Sequence, residues 1–135
     1  MSDANLGIGP KTLLAAAQNL TTAWVDLGAQ LDTRGVRAVA LYLTVDINNG
    51  ANVRVRAMAA HALAGTEHTL PIKTVAASAI AIEAEYLEFN VDTDQDMMII
   101  WDVAGVVPYT QFQVQAGTAG ATAAQIDAAS VVMSY

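Results

Sequence analysis

The carboxylates of this chain are the first residues to consider for chemistry, because paired acids can cut glycosidic bonds. That reaction needs two carboxyl groups that face each other across a cleft. Glu83 and Glu85 instead alternate onto one face of a predicted strand, and no spacing pairs them with Glu88 or Asp102. The pattern therefore favours solvated carboxylates over a hydrolase site.

A second acidic group, Asp92, Asp94 and Asp96, is similar to the start of a calcium-binding loop. An EF-hand loop also needs glycine at its sixth position and glutamate at its twelfth, and this chain has Met97 and Val103 there. We predict a solvated acidic turn with no metal ion, and keep these three aspartates as the alternative metal ligands.

Nucleophilic catalysis has little support in the sequence. The two histidines, His61 and His68, have no metal-ligand spacing, and no nucleophile elbow surrounds Ser78 or Ser130. The absence of cysteine excludes disulfides and thiolate metal sites. We therefore expect a protein that is not an enzyme and needs no cofactor.

Size and charge narrow the possible partners. The chain has 135 residues, enough for one domain, and a net charge of −7, which repels phosphate backbones. No apolar run approaches the roughly 20 residues that a membrane span needs, and the polar N-terminus lacks a secretory signal. We expect no binding to nucleic acid or membrane.

The side chains best suited to contact a partner are aromatic residues and arginines that strand alternation places on outward faces. Outward aromatics among alanines and glutamines suit an oligomer interface better than the surface of a monomer. Stacking of a glycan on Trp24 and Tyr109 is the alternative. The interface candidates are Trp24, Tyr42, Arg54, Arg56, Tyr86 and Tyr109.

The segment 34–58 must position several of these side chains. Residues 38–47 alternate between apolar and smaller or polar types with a period of two, and residues 53–56 alternate again. Asn48, Asn49 and Gly50 between them tolerate the positive φ of a tight turn. The pattern predicts a β-hairpin with its arginines on the outer face.

The rest of the chain adds short strands separated by turns, with no long amphipathic helix. We predict strands at 21–30, 85–91, 107–115 and 128–135, an edge strand at 11–17, another at 68–73 because it contains Pro71, and a central strand at 97–101. Eight to ten such strands predict an all-β, antiparallel two-sheet sandwich, jelly-roll-like, with a single domain at 11–135 and an N-terminal arm at 1–10.

Three stretches carry a resemblance to a known family: TTAWVDLGAQLDTRGVRAVALYLTVDINNGANVRVRA (21–57), LEFNVDTDQDMMIIWD (87–102) and VPYTQFQVQAGTAGATAAQIDAASVVMSY (107–135). Together they resemble small virion proteins of tailed bacteriophages, in which an Ala/Gly/Thr-rich loop precedes the last strand.

The resemblance implies a head decoration, or cement, protein located in the virion. Such a protein would bind the major capsid protein as a homo-oligomer, often a trimer, and no catalytic residues come with the resemblance. Two alternatives stay open. One is a tail- or fibre-associated sandwich that binds a host glycan, and the other is a non-catalytic module of a larger enzyme.

Overall fold

The computed structural model describes residues 10–46, 52–70, 75–76, 79–80, 85–89, 95–117 and 124–135. These residues form thirteen β-strands and no helix, so the described part of the chain has no helix that could cross a membrane. The strands are β1 Lys11–Thr12, β2 Gln18–Asn19, β3 Val25–Asp26, β4 Leu31–Asp32, β5 Ala38–Asp46, β6 Val53–Ala60, β7 His68–Leu70, β8 Val75–Ala76, β9 Ala79–Ile80, β10 Leu87–Phe89, β11 Gln95–Asp102, β12 Tyr109–Ala116 and β13 Gln125–Ser134.

The strands form two main antiparallel sheets. Sheet A has the order β1, β13, β5, β11, with β2 also paired to β13. Sheet B has the order β10, β6, β12, β3, with β7 also paired to β6 and β4 to β12. β8 and β9 pair with each other. Each main sheet thus has four strand positions, some of them shared by two short strands.

The chain passes back and forth between the two sheets. β1 and β2 lie in sheet A, β3 and β4 in sheet B, β5 in A, β6, β7 and β10 in B, β11 in A, β12 in B and β13 in A. This alternation is a jelly roll. The sequence-based prediction of an all-β, antiparallel, jelly-roll-like sandwich is confirmed. The arm predicted at 1–10 lies outside the described residues, apart from Pro10.

The predicted hairpin at 34–58 is wrong in its pairing. Both strands exist, but β5 pairs with β11 and β13 in sheet A, whereas β6 pairs with β7, β10 and β12 in sheet B. Alternation with a period of two shows only that one face of a strand is buried. Two consecutive strands that face each other across a core have the same pattern as two strands of one hairpin.

The core lies between the inner faces of the sheets. From sheet A, β5 contributes four buried residues, Val39, Leu41, Leu43 and Val45. Sheet B contributes apolar side chains of β6 and β12, among them Phe112. The ring centroid of Phe112 lies 5.3 Å from that of Trp101 on β11. Both inner faces therefore consist of every second residue of long strands, as expected for packed sheets.

The prediction of a central strand at 97–101 is also wrong. Within the described residues β11 pairs only with β5, so it is the last strand of sheet A. Ile99 and Trp101 point into the core, whereas Met98 and Ile100 are 51% and 60% exposed. Apolar residues on both faces of a strand suggested burial on both sides. Here they mark a strand whose outer face is apolar and exposed.

Of the predicted strand at 21–30, only Val25–Asp26 (β3) is a strand; a turn at Gly28 follows it, and β4 begins at Leu31, beyond the predicted range. Gly28 has a φ of +73°, and a Cβ there would lie 2.6 Å from the backbone oxygen of Leu13. A side chain is therefore disfavoured both by the backbone conformation and by space. The turn belongs to sheet B, while Leu13 follows β1 in sheet A, so the two sheets touch here.

Candidate functional site

Four of the six interface candidates meet on the outer face of sheet B, and we call Trp24, Arg54, Arg56 and Tyr86 the arginine–aromatic cluster. The guanidinium of Arg56 lies 4.1 Å from the ring centroid of Trp24, and that of Arg54 lies 4.8 Å from the ring centroid of Tyr86. The two ring centroids are 5.8 Å apart. Arginine and aromatic planes therefore cover each other within one chain.

Strand register explains why residues this far apart in sequence meet. Arg54 and Arg56 are two residues apart on β6, so both point outward. Glu88 on β10 lies opposite Arg54, so Tyr86, two residues earlier, continues the register toward Arg56. Trp24, just before β3, continues the register toward Gln115, the partner of Arg54. Each guanidinium therefore reaches its ring diagonally across the face, Arg54 over Tyr86 and Arg56 over Trp24. Each arginine thus contacts an aromatic residue that lies just before a short flanking strand, Trp24 before β3 and Tyr86 before β10.

Hydrogen bonds hold Arg54, the arginine that stacks on Tyr86. The Nε of Arg54 donates to Glu88 at 2.5 Å and one terminal nitrogen donates to Gln115 at 3.2 Å. The bond to Glu88 raises the pKa of Arg54. The Nε2 of Gln115 in turn donates to the backbone oxygen of Thr22 at 2.8 Å.

The arginine beside Trp24 is held in a similar way. Arg56 donates twice to Oε1 of Gln113, at 2.9 and 2.6 Å, and Gln113 donates to Asp26 at 2.9 Å. Burial lowers the pKa of Arg56, against the raising effect of Glu85 and Glu67, but an arginine remains charged in proteins. The cluster therefore fastens β3 and β10 to the central strands of sheet B.

Tyr109 lies on the same outer face but is separate from this cluster. It is four residues from Gln113 along β12, or about 13 Å at the rise of a strand. The guanidinium of Arg34 lies 5.5 Å from its ring centroid, and Arg34 forms a 2.5 Å ion pair with Asp32. The rings of Trp24 and Tyr109 each have an arginine over them, so they do not form the shared open platform proposed from the sequence.

Tyr42 is the exception among the interface candidates, because it lies on the outer face of sheet A. Its side chain is 43% exposed and stands opposite Met98 on β11 and Ser130 on β13. A groove of about 500 Å³ lies over it. Lining residues from strands and from the segment after β1 include Thr12, Leu14, Tyr42, Asp96, Met98 and Ser130.

The polar side chains of this groove come from four strands, β1, β5, β11 and β13. Thr44 lies two residues after Tyr42 on β5, on the same face, and donates to Oδ1 of Asp96 at 3.0 Å. On the other side Asp127 accepts a bond of 2.6 Å from Gln125. Both aspartates are exposed. The groove therefore combines an accessible aromatic ring with carboxylates and hydroxyls.

A β-bulge places Asp127 there. The pairing of β13 with β5 shifts between Ile126 and Ala128, so Asp127 is an extra residue without an opposite partner on β5. Bulges of this kind redirect a side chain. As a result, Asp127 and Ala128 both face the groove, whereas Ile126 and Ala129 are buried in the core.

The sequence pointed to the aromatic rings but not to the groove. Thr12, Tyr42, Met98 and Ser130 lie on four strands, and only their register brings them together. Asp127 had a local signal, because it interrupts the alternation of β13. Asp127 is the extra residue of the bulge, which regular pairing of β13 with β5 would not contain.

The acidic loop considered as a metal site is described only in part. Asp92 and Asp94 lie outside the described residues, and Asp96 lines the groove. Among the residues that the structure describes, no three histidine or carboxylate side chains are grouped so that they could hold a metal ion.

Comparisons with known proteins were made by sequence and by structure. No family model and no curated protein matches the chain. Among solved structures it is similar to the carbohydrate-binding module CBM6cm-2 of Cellvibrio mixtus lichenase 5A, solved in complex with cellotriose. The two share 13% identity over 95% of this chain and 98% of that one, with a TM-score of 0.46. No functional conclusion follows from similarity at this level.

Proposed function

We propose that this chain is a non-catalytic, carbohydrate-binding jelly roll of a tailed-bacteriophage virion, associated with its tail or fibre, and that the groove of sheet A holds the glycan. The observation that carries the proposal is the exposed ring of Tyr42 inside a groove with polar sides. The virion location comes from the sequence resemblance described above.

An exposed aromatic ring beside polar groups matches the chemistry of a sugar. A pyranose has an apolar face of C–H groups and a margin of hydroxyls, so its sites pair an aromatic surface with a few placed polar groups. Tyr42 offers the surface, and Asp96, Asp127 and Ser130 offer hydrogen-bonding groups around it. The volume of about 500 Å³ lies within the range of small-molecule sites.

Substitution of the groove tyrosine tests this proposal. Tyr42→Ala removes the stacking surface, and we expect the affinity for a bound glycan to fall at least about tenfold, or about 1.4 kcal/mol. Isothermal titration calorimetry, on glycans first selected on an array, measures the change. Tyr135→Ala is the matched control, because Tyr135 is also exposed, at 59%, and lies outside the groove.

The result can contradict the proposal in two ways. If the wild-type chain retains no glycan from the array, the groove is not a sugar site. If Tyr42→Ala and Tyr135→Ala bind with equal affinity, a glycan binds elsewhere on the surface.

A head decoration protein that binds the major capsid protein as a homotrimer is the second candidate. It is favoured by the apolar outer face of β11, where Met98 and Ile100 are exposed beside the small residue Ala40. Adjacent exposed apolar residues are typical of a protein interface. Such an interface would cover part of the same face that forms the groove.

A charge on this face distinguishes the second candidate. Ile100→Asp should abolish co-sedimentation with empty capsids and reduce a solution trimer, about three times 14.1 kDa, to monomers in light scattering. Val106→Asp is the control, because Val106 is 79% exposed in the turn after β11. A monomeric wild-type chain that does not sediment with capsids would rule this candidate out.

A further inference from the structure

The charged groups in the groove are all acidic among its described lining residues. Asp96 and Asp127 line it, and no lysine, arginine or histidine does. The register places Asp96 and Ala128 on opposite sides of Thr44, so the two aspartates are separated by two strand spacings, or roughly 10 Å. A ligand over Tyr42 therefore lies between or beside two carboxylates.

These carboxylates can act as acceptors for a ligand. Each uses Oδ1 in a hydrogen bond within the chain, Asp96 with Thr44 and Asp127 with Gln125. Both residues are exposed, and an ionised carboxylate has about four acceptor positions and no donor. Sugar hydroxyls can donate to the remaining positions, and these charge-assisted bonds are stronger than neutral ones.

The same carboxylates disfavour an anionic ligand. Two like charges about 4 Å apart repel by about 1 kcal/mol even in bulk water, which corresponds to about fivefold in affinity. The net charge of −7 adds to this repulsion at longer range. No cationic lining side chain among the described residues offsets it.

We infer that the groove of sheet A selects neutral glycans and rejects those that carry uronate, sialate or sulfate groups, with Asp96 and Asp127 as the specificity-determining residues. This inference rests on the proposed glycan-binding function and adds the chemical class of the ligand. The aspartates accept hydrogen bonds from a neutral sugar and repel the acidic group of a charged one.

An array that holds neutral oligosaccharides, each beside a uronate or sulfated counterpart of equal length and linkage, tests the inference. At low salt the wild-type chain should bind the neutral member of a pair at least about fivefold more tightly. Added salt should narrow this ratio, because it screens the repulsion between exposed charges.

Two substitutions assign the selectivity to the groove. Asp96→Asn and Asp127→Asn keep the side-chain size and remove the charge, so each should reduce the neutral-to-anionic ratio, and the double variant should reduce it further than either single variant. Asp102→Asn is the matched control, because Asp102 is exposed, lies on β11 like Asp96, and does not line the groove. It should leave the ratio unchanged.

The outcomes separate the inference from the proposed function. Equal binding of neutral and anionic partners by the wild-type chain, with Tyr42→Ala still abolishing both, overturns the inference and leaves the glycan site in place. An unchanged ratio in the double variant also overturns it. Absence of any glycan binding by the wild-type chain removes the proposed function and the inference together.

Discussion

The outer faces of the two sheets use aromatic residues in opposite ways. On sheet B the rings of Trp24 and Tyr86 lie under arginines that are fastened by glutamine and glutamate acceptors. On sheet A the ring of Tyr42 stands beside Met98 and Ile100 with much of its surface exposed. An outward aromatic residue can therefore either stabilise its own sheet or remain available to a partner, and its neighbours decide which.

The difference originates in the flanking strands. Sheet B carries short strands on both sides, β3 and β10, and each brings an aromatic residue next to an arginine of β6. Sheet A ends at β11 among the described residues, and its outer face presents mostly small, apolar and acidic side chains. In the part of the chain that the structure describes, no arginine or lysine lies over the ring of Tyr42.

The largest expected change in stability comes from removal of an aromatic ring on the outer face of sheet B. Trp24→Ala should lower the free energy of unfolding by about 2–3 kcal/mol, because it deletes a partly buried ring that contacts Arg56 and Tyr86. Tyr42→Ala should cost about 1 kcal/mol or less, because that ring is more exposed. Urea denaturation measures both. Equal losses would mean that the two faces do not differ in this respect.

A smaller effect concerns the ion pair near Tyr109. Hydrogen bonds from Arg34 lower the pKa of Asp32 from 3.8 to about 2. A carboxyl group whose pKa is lower in the folded state stabilises the fold above its unfolded pKa, and this contribution is lost as the pH falls from about 4 to about 2. Because the side chains of Arg34 and Asp32 are 65% and 52% exposed, the contribution is small.

Comparison of the wild-type chain with Asp32→Asn across this pH window measures it. The stability difference between the two proteins should be present at pH 6 and shrink toward zero near pH 2. Added salt should reduce the difference at pH 6, because the charges are at the surface. A difference that is independent of pH would show that the ion pair does not contribute.

Alternation in the sequence was enough to predict most strands and the class of fold. It identified the buried and outward faces of β5, β6 and β12, because a period of two follows directly from strand geometry. It did not predict which strands pair. β5 and β6 are adjacent in sequence and lie in different sheets, and β11 is an outer strand although its residues are apolar on both faces.

The candidate site was less accessible to sequence reasoning. Tyr42 was recognised as outward, but its groove depends on the order β1, β13, β5, β11, which no local pattern encodes. The arginine–aromatic cluster was predicted as a set of outward residues and not as a set of mutual contacts. Pairing between strands distant in sequence determines both. Alternation rules out a slip of one residue but does not say which strands pair or at which even offset.

The bulge at Asp127 has an evolutionary consequence. Since Asp127 is the one unpaired residue between Ile126 and Ala128, loss of its codon would restore uninterrupted pairing of β13 with β5 while the buried residues keep their faces. The same event would delete one of the two carboxylates of the groove. A single in-frame deletion or insertion could therefore change the charge of this surface between related proteins without any rearrangement of the sandwich.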